Sequence, residues 1–211
     1  MDGPGPGRRG VGTMVIDEIL PAFDVTRVDT VVVAAPADDV YRVALDLDLV
    51  EVVRDDPVVG ILFAVRSIPD RVMRLLGRRD EPPPPSMRLR DLPQEGEWIR
   101  LGEDPGREIV FGAAGRFWNG PIEWRRTTPP SFAAFDAPGA ARIAANIAVH
   151  PYARDRVLVT YEARTAATDD DARRGVRRYW RMLSPFVGLV LRGVLRGIKR
   201  RAEAGHAREA W

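Results

Sequence analysis

VTYEARTAATDDDARRGVRRYWRMLSPFVGLVLR, residues 159–192, contains the end of one secondary-structure element and the start of another, and it decides the fold. Apolar and polar residues alternate up to Ala163, which is the period of a strand with one apolar face. After Asp169 apolar residues recur every three or four positions, starting with Val176, which is the period of an amphipathic helix. The chain therefore passes from a β-strand into a long C-terminal helix.

The predicted helix is the longest element of the chain. We expect Thr168 to cap it and the aspartates at 169–171 to occupy its first turn, where the helix dipole favours negative charge. The apolar stripe continues to Ile198, arginines occupy the opposite face, and Pro185 should bend the helix. Glycines at 188, 193 and 197 share one side, where they allow close approach of a sheet or leave room for a ligand. An apolar stripe of this length needs a sheet to cover it.

Residues 96–165 supply that sheet. Runs of period two, each bounded by Gly or Pro, follow one another with short connections, as in antiparallel hairpins. The predicted strands are EWIRLG (97–102), REIVFGAAGRFW (107–118), PIEWRR (121–126), SFAAFDAP (131–138), ARIAANIAVHP (141–151) and RVLVTYEART (156–165). The alternation predicts a sheet with one dry face and one wet face.

The N-terminal part adds one strand and two helices. A helical turn over 14–23 precedes a β-branched strand over 27–36, and the acidic segment after Pro36 starts a helix. A second helix begins at 55–57 and ends at Gly77. The segment RRDEPPPPSMRLRD (78–91) is too rich in proline for regular structure and reads as a stiff polar linker.

Length and composition fit one domain. With 211 residues the chain can bury a hydrophobic core that needs no disulfide or structural metal. The absence of cysteine excludes disulfides, thiolate zinc sites and iron–sulfur clusters. No apolar run reaches the ~20 residues that a membrane span requires. We expect a disordered leader over 1–13, a single domain over 14–204, a tail over 205–211 and a cytoplasmic location.

Three segments carry a resemblance to a known family: VVVAAPADDVYRVALDLDL (31–49), GREIVFGAAGRFW (106–118) and the segment 159–192. In these segments and in its element order the chain resembles the START-like superfamily, also called SRPBCC or polyketide cyclase/dehydrase and lipid transport, and within it a bacterial subfamily that brings no catalytic residues. The resemblance implies an α+β helix-grip fold, in which a curved antiparallel sheet wraps around the C-terminal helix and two helices separate the first two strands. It also implies an apolar cavity beneath that helix. The segment Pro82 to Pro85 departs from the family pattern.

Most residues with reactive side chains have a structural explanation. His206 lies in the tail, and His150 lies at a strand end on the polar side, so a histidine zinc site and a Ser-His-Asp triad are not expected. Glu108, Glu123 and Glu162 occupy outward strand positions, where we expect solvated carboxylates. The glycines of 106–115 lack the following helix of a phosphate loop, and we expect them to let the sheet bend. We predict no catalytic residue, no metal site and no cofactor.

Aromatic residues are the better site candidates, because large rings suit the wall of an apolar pocket. Plain core packing is the alternative explanation for each ring. Tyr161 is the best candidate to orient a ligand, since its hydroxyl lies on the dry side of the last strand. The predicted ligand-binding residues are Trp98, Phe111, Trp118, Trp124, Tyr161, Trp180, Leu183 and Val187.

Positive charge concentrates at the C-terminal end. From position 169 onward the chain has 11 Lys/Arg and 5 Asp/Glu, whereas the whole chain has 32 Lys/Arg and 30 Asp/Glu. This asymmetry suggests docking on an anionic membrane surface through Arg192, Arg196 and Arg200, with a solvated helix face as the alternative. We expect no nucleic-acid partner, because no recognition motif accompanies the charge.

These observations favour a binding protein over an enzyme. The expected function is binding, transport or sequestration of a hydrophobic small molecule such as a lipid, isoprenoid or polyketide. The alternatives are a polyketide cyclase/dehydratase-type enzyme acting on such a ligand, and a membrane- or protein-docking module that uses the basic helix.

Overall fold

An antiparallel sheet and a helix of 40 residues dominate the structure, a computed structural model that describes residues 13–48, 50–52, 86–118, 120 and 122–209. The strands in this part of the chain are β1 (Val25–Val33), β2 (Trp98–Asp104), β3 (Glu108–Arg116), β4 (Glu123–Arg125), β5 (Ala141–Ala153) and β6 (Arg156–Ala167). Its helices include α1 (Val15–Ile19), α2 (Ala37–Asp46), α3 (Pro129–Ala133) and α4 (Asp170–Glu209), and a 3-10 turn spans Leu89–Asp91.

The strands lie in the order β1-β6-β5-β3-β2, and β4 pairs with the end of β3 that β2 leaves free. Every pairing is antiparallel, and register shifts interrupt β2 between Arg100 and Gly102 and β5 between Pro151 and Ala153. Such bulges curve a sheet. The sheet stays open, with β1 and β2 at its edges, and α4 follows directly from β6. The helix-grip α+β fold expected from the resemblance is confirmed.

One side of the sheet, the inner face, packs against α4 and α2. Strand register places Phe111, Ala145, Ala163 and Arg27 in one cross-strand row. The next row is Ile109, Ile147, Tyr161 and Asp29. The main apolar cluster joins this face to the second half of α4 and to buried α2 residues.

The opposite side, the outer face, is wet mainly along β1, where Thr26, Val28 and Thr30 are exposed; the remainder is not the wet face that the alternation predicts. α1 and α3 cover it through Ile16 and Phe132, both 0% exposed. The solvated position expected for Glu108 is wrong, because Glu108 is 2% exposed beneath α1. Glu162 is half-buried and pairs with Arg164, whereas Glu123 is exposed as expected.

Two local predictions are wrong. The segment SFAAFDAP is not a strand, because Thr128 caps a short helix, α3, whose first positions are Pro129 and Pro130. Proline at the first helical position is pre-set for helix and donates no hydrogen bond to a sheet. Asp169, not Thr168, caps α4: its carboxylate accepts the Ala172 N–H at 2.7 Å.

Other predicted elements are present but start or end at different residues. The first strand begins at Val25 rather than at residue 27, and α4 continues through Pro185 to Glu209. Residues 1–12 of the predicted leader 1–13, the second predicted helix over 55–77 and the segment Pro82 to Pro85 lie outside the described residues.

Candidate functional site

Three of the predicted ligand-binding rings meet on the inner face. Trp98 on β2 lies 6.4 Å from Phe111 on β3, and Phe111 lies 6.2 Å from Tyr161 on β6, measured between ring centroids. Strand β5 lies between the strands of Phe111 and Tyr161, so these two rings approach each other across β5. Phe111 and Tyr161 are buried, whereas Trp98 is half-buried. The inner face therefore presents a connected aromatic surface.

A second aromatic group lies where α4 begins. Phe117 stacks on Trp124 at 5.5 Å and contacts Trp118 edge-on at 5.2 Å, beneath Val176 of α4. Trp124 also contacts Trp98 at 5.5 Å, so this group continues the aromatic surface of the inner face. The structure thus brings five of the eight predicted residues into one chain of rings.

The predicted residues of α4 are more dispersed. Val187 packs against the main apolar cluster, and Leu183 is half-buried one turn earlier. Trp180 lies on a different wall, where it borders an open groove that Trp118 also borders. Their role in ligand binding stays a prediction.

Burial along the inner face is uneven. Beneath the second half of α4, Ile147, Val159 and Ile198 are 0% exposed. Toward the first half of α4, Ile143 on β5 and Ala163 on β6 keep part of their surface accessible, although both belong to central strands. The first half of α4 therefore does not seal the sheet as its second half does.

Tyr161 lies at the border between these two regions. Burial raises the pKa of its hydroxyl, which stays protonated at any physiological pH. Among the described residues no group forms a hydrogen bond with this hydroxyl. Tyr41 contrasts with it: burial and a 2.8 Å hydrogen bond to Glu103 raise its pKa, and its hydroxyl is occupied. Tyr161 is thus a buried tyrosine whose hydroxyl has no partner among the described residues.

A polar cluster that the sequence analysis missed lies beside this aromatic surface. On the inner face of β1, Asp29 accepts hydrogen bonds from Arg27 Nε at 3.0 Å and from Arg192 Nη1 of α4 at 3.3 Å. The Arg27 guanidinium lies against Gly188, where an added Cβ would be 2.7 Å from Nη2. Gly188 thus permits the close approach expected of it. The sequence gives no signal for this position, because alternation would place Val28 inward and the charged residues outward, yet Val28 is 47% exposed.

Ion pairs occupy much of the basic face that suggested membrane docking. Arg192 pairs with Asp29, and Arg201 pairs with Glu51 at 2.8 Å. Lys199 donates to the Val32 carbonyl at 2.7 Å and pairs with Glu203. These cations are bound to the protein itself, which weakens the case for a membrane surface as partner.

His150 lies at the end of β5, with its Nε2 3.4 Å from the Thr160 hydroxyl. It is partly buried, and burial, followed by the charge of Arg107, lowers the pKa of its ring. The described residues contain no group of three or more His, Asp or Glu side chains placed to hold a metal ion. No helix among them is long and apolar enough to cross a bilayer.

Comparison with known proteins gives matches among solved structures. Zhui aromatase/cyclase from Streptomyces sp. R1128 matches with 17% identity over 86% of this chain and 97% of its own, at a TM-score of 0.29. The di-domain ARO/CYC StfQ from the steffimycin biosynthetic pathway matches with 15% identity over 85% of this chain and 51% of its own, at 0.31. The chain is similar to aromatase/cyclases.

A third match, TTHA0849 from Thermus thermophilus, has 12% identity over 86% of this chain and 99% of its own, at a TM-score of 0.32. No family model matches the chain, and no curated protein matches it. The helix-grip assignment therefore rests on the strand order and on α4 of the chain itself.

Proposed function

We propose that this protein binds a hydrophobic small molecule between the inner face of its sheet and the first half of α4. The observation that carries the proposal is the free hydroxyl of Tyr161, which lies on an aromatic surface one row from the partly accessible Ala163 and two rows from Ile143. A ligand site of this kind combines apolar walls with a few polar groups that fix orientation.

The chemistry of the walls indicates the ligand class. A hydrogen bond between the Tyr161 hydroxyl and a ligand oxygen would contribute about 0.5–1.5 kcal/mol. Because Tyr161 stays protonated, it can donate a hydrogen bond to a carbonyl, ether or hydroxyl oxygen. The ligand is a largely apolar molecule with at least one such oxygen, as in lipids, isoprenoids and polyketides.

Filling the proposed space tests the proposal directly. Ala163→Phe should place a ring on the partly accessible inner face and abolish binding of the neutral fluorophore N-phenyl-1-naphthylamine. The same variant should carry no apolar compound through gentle purification, as measured by mass spectrometry of a solvent extract. Ala153→Phe is the matched control, because Ala153 lies at the exposed end of β5. Wild-type binding of the fluorophore by a folded Ala163→Phe variant would refute the site.

Tyr161→Phe tests the hydroxyl alone. Loss of one neutral hydrogen bond should weaken binding of an oxygen-bearing ligand recovered from the wild-type protein by about 2- to 10-fold. Tyr152→Phe removes the same atom from a side chain that is 63% exposed and should leave the affinity unchanged. Equal affinity of the Tyr161→Phe variant and the wild type would remove the polar anchor from the proposal.

A cyclase- or dehydratase-type reaction is a second candidate function, and Asp29 favours it. This carboxylate lies on the inner face directly opposite Tyr161 in the strand register, between two arginines. It supplies the ionisable group that proton transfer to or from a bound ligand requires. Incubating the extracted compound with wild-type and Asp29→Asn protein tests this function: only the wild type should produce a species lighter by one water.

A further inference from the structure

An open groove of about 910 Å³ runs along the first half of α4 and reaches the start of β1 at Asp24 and Val25. Trp118 borders it from the end of β3, and Trp180 borders it from α4. Its rim carries Arg174, Arg178 and Arg181, all on the exposed side of α4. We call it the α4 groove.

The positive charge of the α4 groove is only partly neutralised. Arg174 pairs with Asp171 one turn earlier, and Arg177 lies 3.5 Å from Asp24. Within the described residues, Arg178 and Arg181 form no ion pair. These two lie three positions apart, so they are neighbours on one helix face. They leave two guanidinium groups beside each other without a counter-charge.

The aromatic walls are held in place. The Trp118 indole lies against Gly175 of α4, where an added Cβ would be 2.3 Å from the indole Nε1. Phe117 contacts the other side of the same ring edge-on. Because Gly175 leaves room for the indole, Trp118 forms a fixed apolar wall next to the cationic rim. Trp180 is half-buried and exposes part of its ring.

We propose that the α4 groove binds an anionic small molecule with a planar apolar body. The carboxylate, sulfonate or phosphate of the ligand pairs with Arg178 and Arg181, and its planar part contacts Trp118 and Trp180. Guanidinium forks match such oxyanions in geometry as well as charge. The volume falls in the range of about 300–1,000 Å³ that small-molecule sites occupy. The groove does not include Tyr161, Ile143 or Ala163, and of the aromatic surface on the inner face it includes Trp118.

Two fluorophores that differ in one charged group test the proposal. 8-Anilinonaphthalene-1-sulfonate carries a sulfonate on the ring system of N-phenyl-1-naphthylamine, which has none. Arg178→Gln combined with Arg181→Gln should raise the Kd of the sulfonate probe by about 5-fold or more, the combined effect of two exposed ion pairs. The same variant should bind the neutral probe as the wild type does.

The matched control removes two charges elsewhere on α4. Arg200 and Arg208 are exposed and lie outside the groove, so Arg200→Gln combined with Arg208→Gln changes net charge equally. This control should keep the wild-type affinity for the sulfonate probe. Gly175→Ala should also weaken sulfonate binding, because the new methyl group displaces Trp118.

Three outcomes would overturn the proposal. An unchanged Kd for the sulfonate probe in the Arg178/Arg181 variant shows that the rim does not bind it. Equal weakening in the control variant shows a general effect of net charge. Unchanged sulfonate binding combined with loss of binding to phosphatidylglycerol vesicles makes the groove a membrane contact instead.

Discussion

At the scale of single residues, Asp48 joins two segments that are distant in sequence. Its carboxylate accepts the backbone N–H of Val50 at 2.9 Å and that of Met87 at 3.1 Å. Burial opposes ionisation, but hydrogen bonds from the Ser86 side chain and from the backbone of 50, 51 and 87 outweigh it, and the pKa of Asp48 falls from 3.8 to about 2.

This shift predicts a pH dependence of stability. Because the pKa is lower in the folded than in the unfolded chain, the ionised carboxylate stabilises the fold above pH 3.8, and that contribution disappears as the pH falls toward 2. Urea unfolding of Asp48→Asn at several pH values should show lower stability than wild type at pH 6 and a smaller loss between pH 4 and about 2.

Asp136→Asn, which removes an exposed carboxylate, should keep the wild-type slope. If the Asp48→Asn curve ran parallel to the wild-type curve through that pH range, Asp48 would not contribute in this way.

Glu108 is a residue whose burial the sequence does not predict. Its position in an alternating strand predicts a solvated side chain, yet its carboxylate accepts the N–H groups of Val15 at 2.5 Å and Ile16 at 3.1 Å. Asn146 donates to it at 2.6 Å. The partners of Glu108 in α1 lie more than 90 positions earlier, and strand periodicity holds no information about what covers a face. Tyr161 was placed correctly because its own strand defined its face.

At the scale of secondary-structure elements, Gly112 controls the approach of β3 to β5. An added Cβ at this position would lie 2.2 Å from the Ile143 carbonyl oxygen and 2.7 Å from a Leu101 methyl group. The backbone oxygen cannot move without disturbing strand pairing. Gly112 thus lets β3 and β5 pack closely, a role that differs from the sheet bending expected for the glycines of 106–115.

Gly112→Ala should therefore destabilise the protein by about 1–3 kcal/mol or more, the usual cost of overpacking a filled site. Gly205→Ala is the control, because nothing lies within 4 Å of an added Cβ in that part of α4. There the better helix propensity of alanine should stabilise the chain by up to about 1 kcal/mol. Chemical denaturation measures both, and equal stability of the two variants would contradict the crowding at Gly112.

The elements themselves differ in how far sequence predicts them. α4 and the β5–β6 hairpin follow from periodicity, because long regular patterns average over local exceptions. SFAAFDAP failed because its apolar residues suggested a strand, while the preceding Thr128-Pro129-Pro130 determined a helix start. Asp169 and Thr168 are both residue types that cap helix N-termini. Asp169 caps α4 because the Thr168 hydroxyl donates instead to the carbonyl of Ala137.

At the scale of the whole molecule, the two faces of the sheet are covered to different extents. The inner face is closed by the second half of α4 and is partly open beneath the first half, where the aromatic surface lies. Strand and helix periodicity define which side of an element is apolar. The sequence therefore predicted that the sheet faces α4 and that most of these aromatic rings lie on the inner face. It could not predict the uneven seal or the α4 groove, since both depend on how far two surfaces stand apart.

A second apolar cluster joins α1 to the outer face of the sheet, and its contribution to stability can be tested. Ile16 is 0% exposed and packs there among Val110, Ala144 and Phe132. If this cluster is part of the cooperative core, Ile16→Ala should lower the free energy of unfolding by about 2–5 kcal/mol, the usual effect of emptying a buried isoleucine site. Ile122→Ala makes the same change at a side chain that is 37% exposed and should cost far less. Urea denaturation followed by circular dichroism compares them. Equal, small losses would mean that α1 only lies on the sheet, and that the inner core alone holds the fold together.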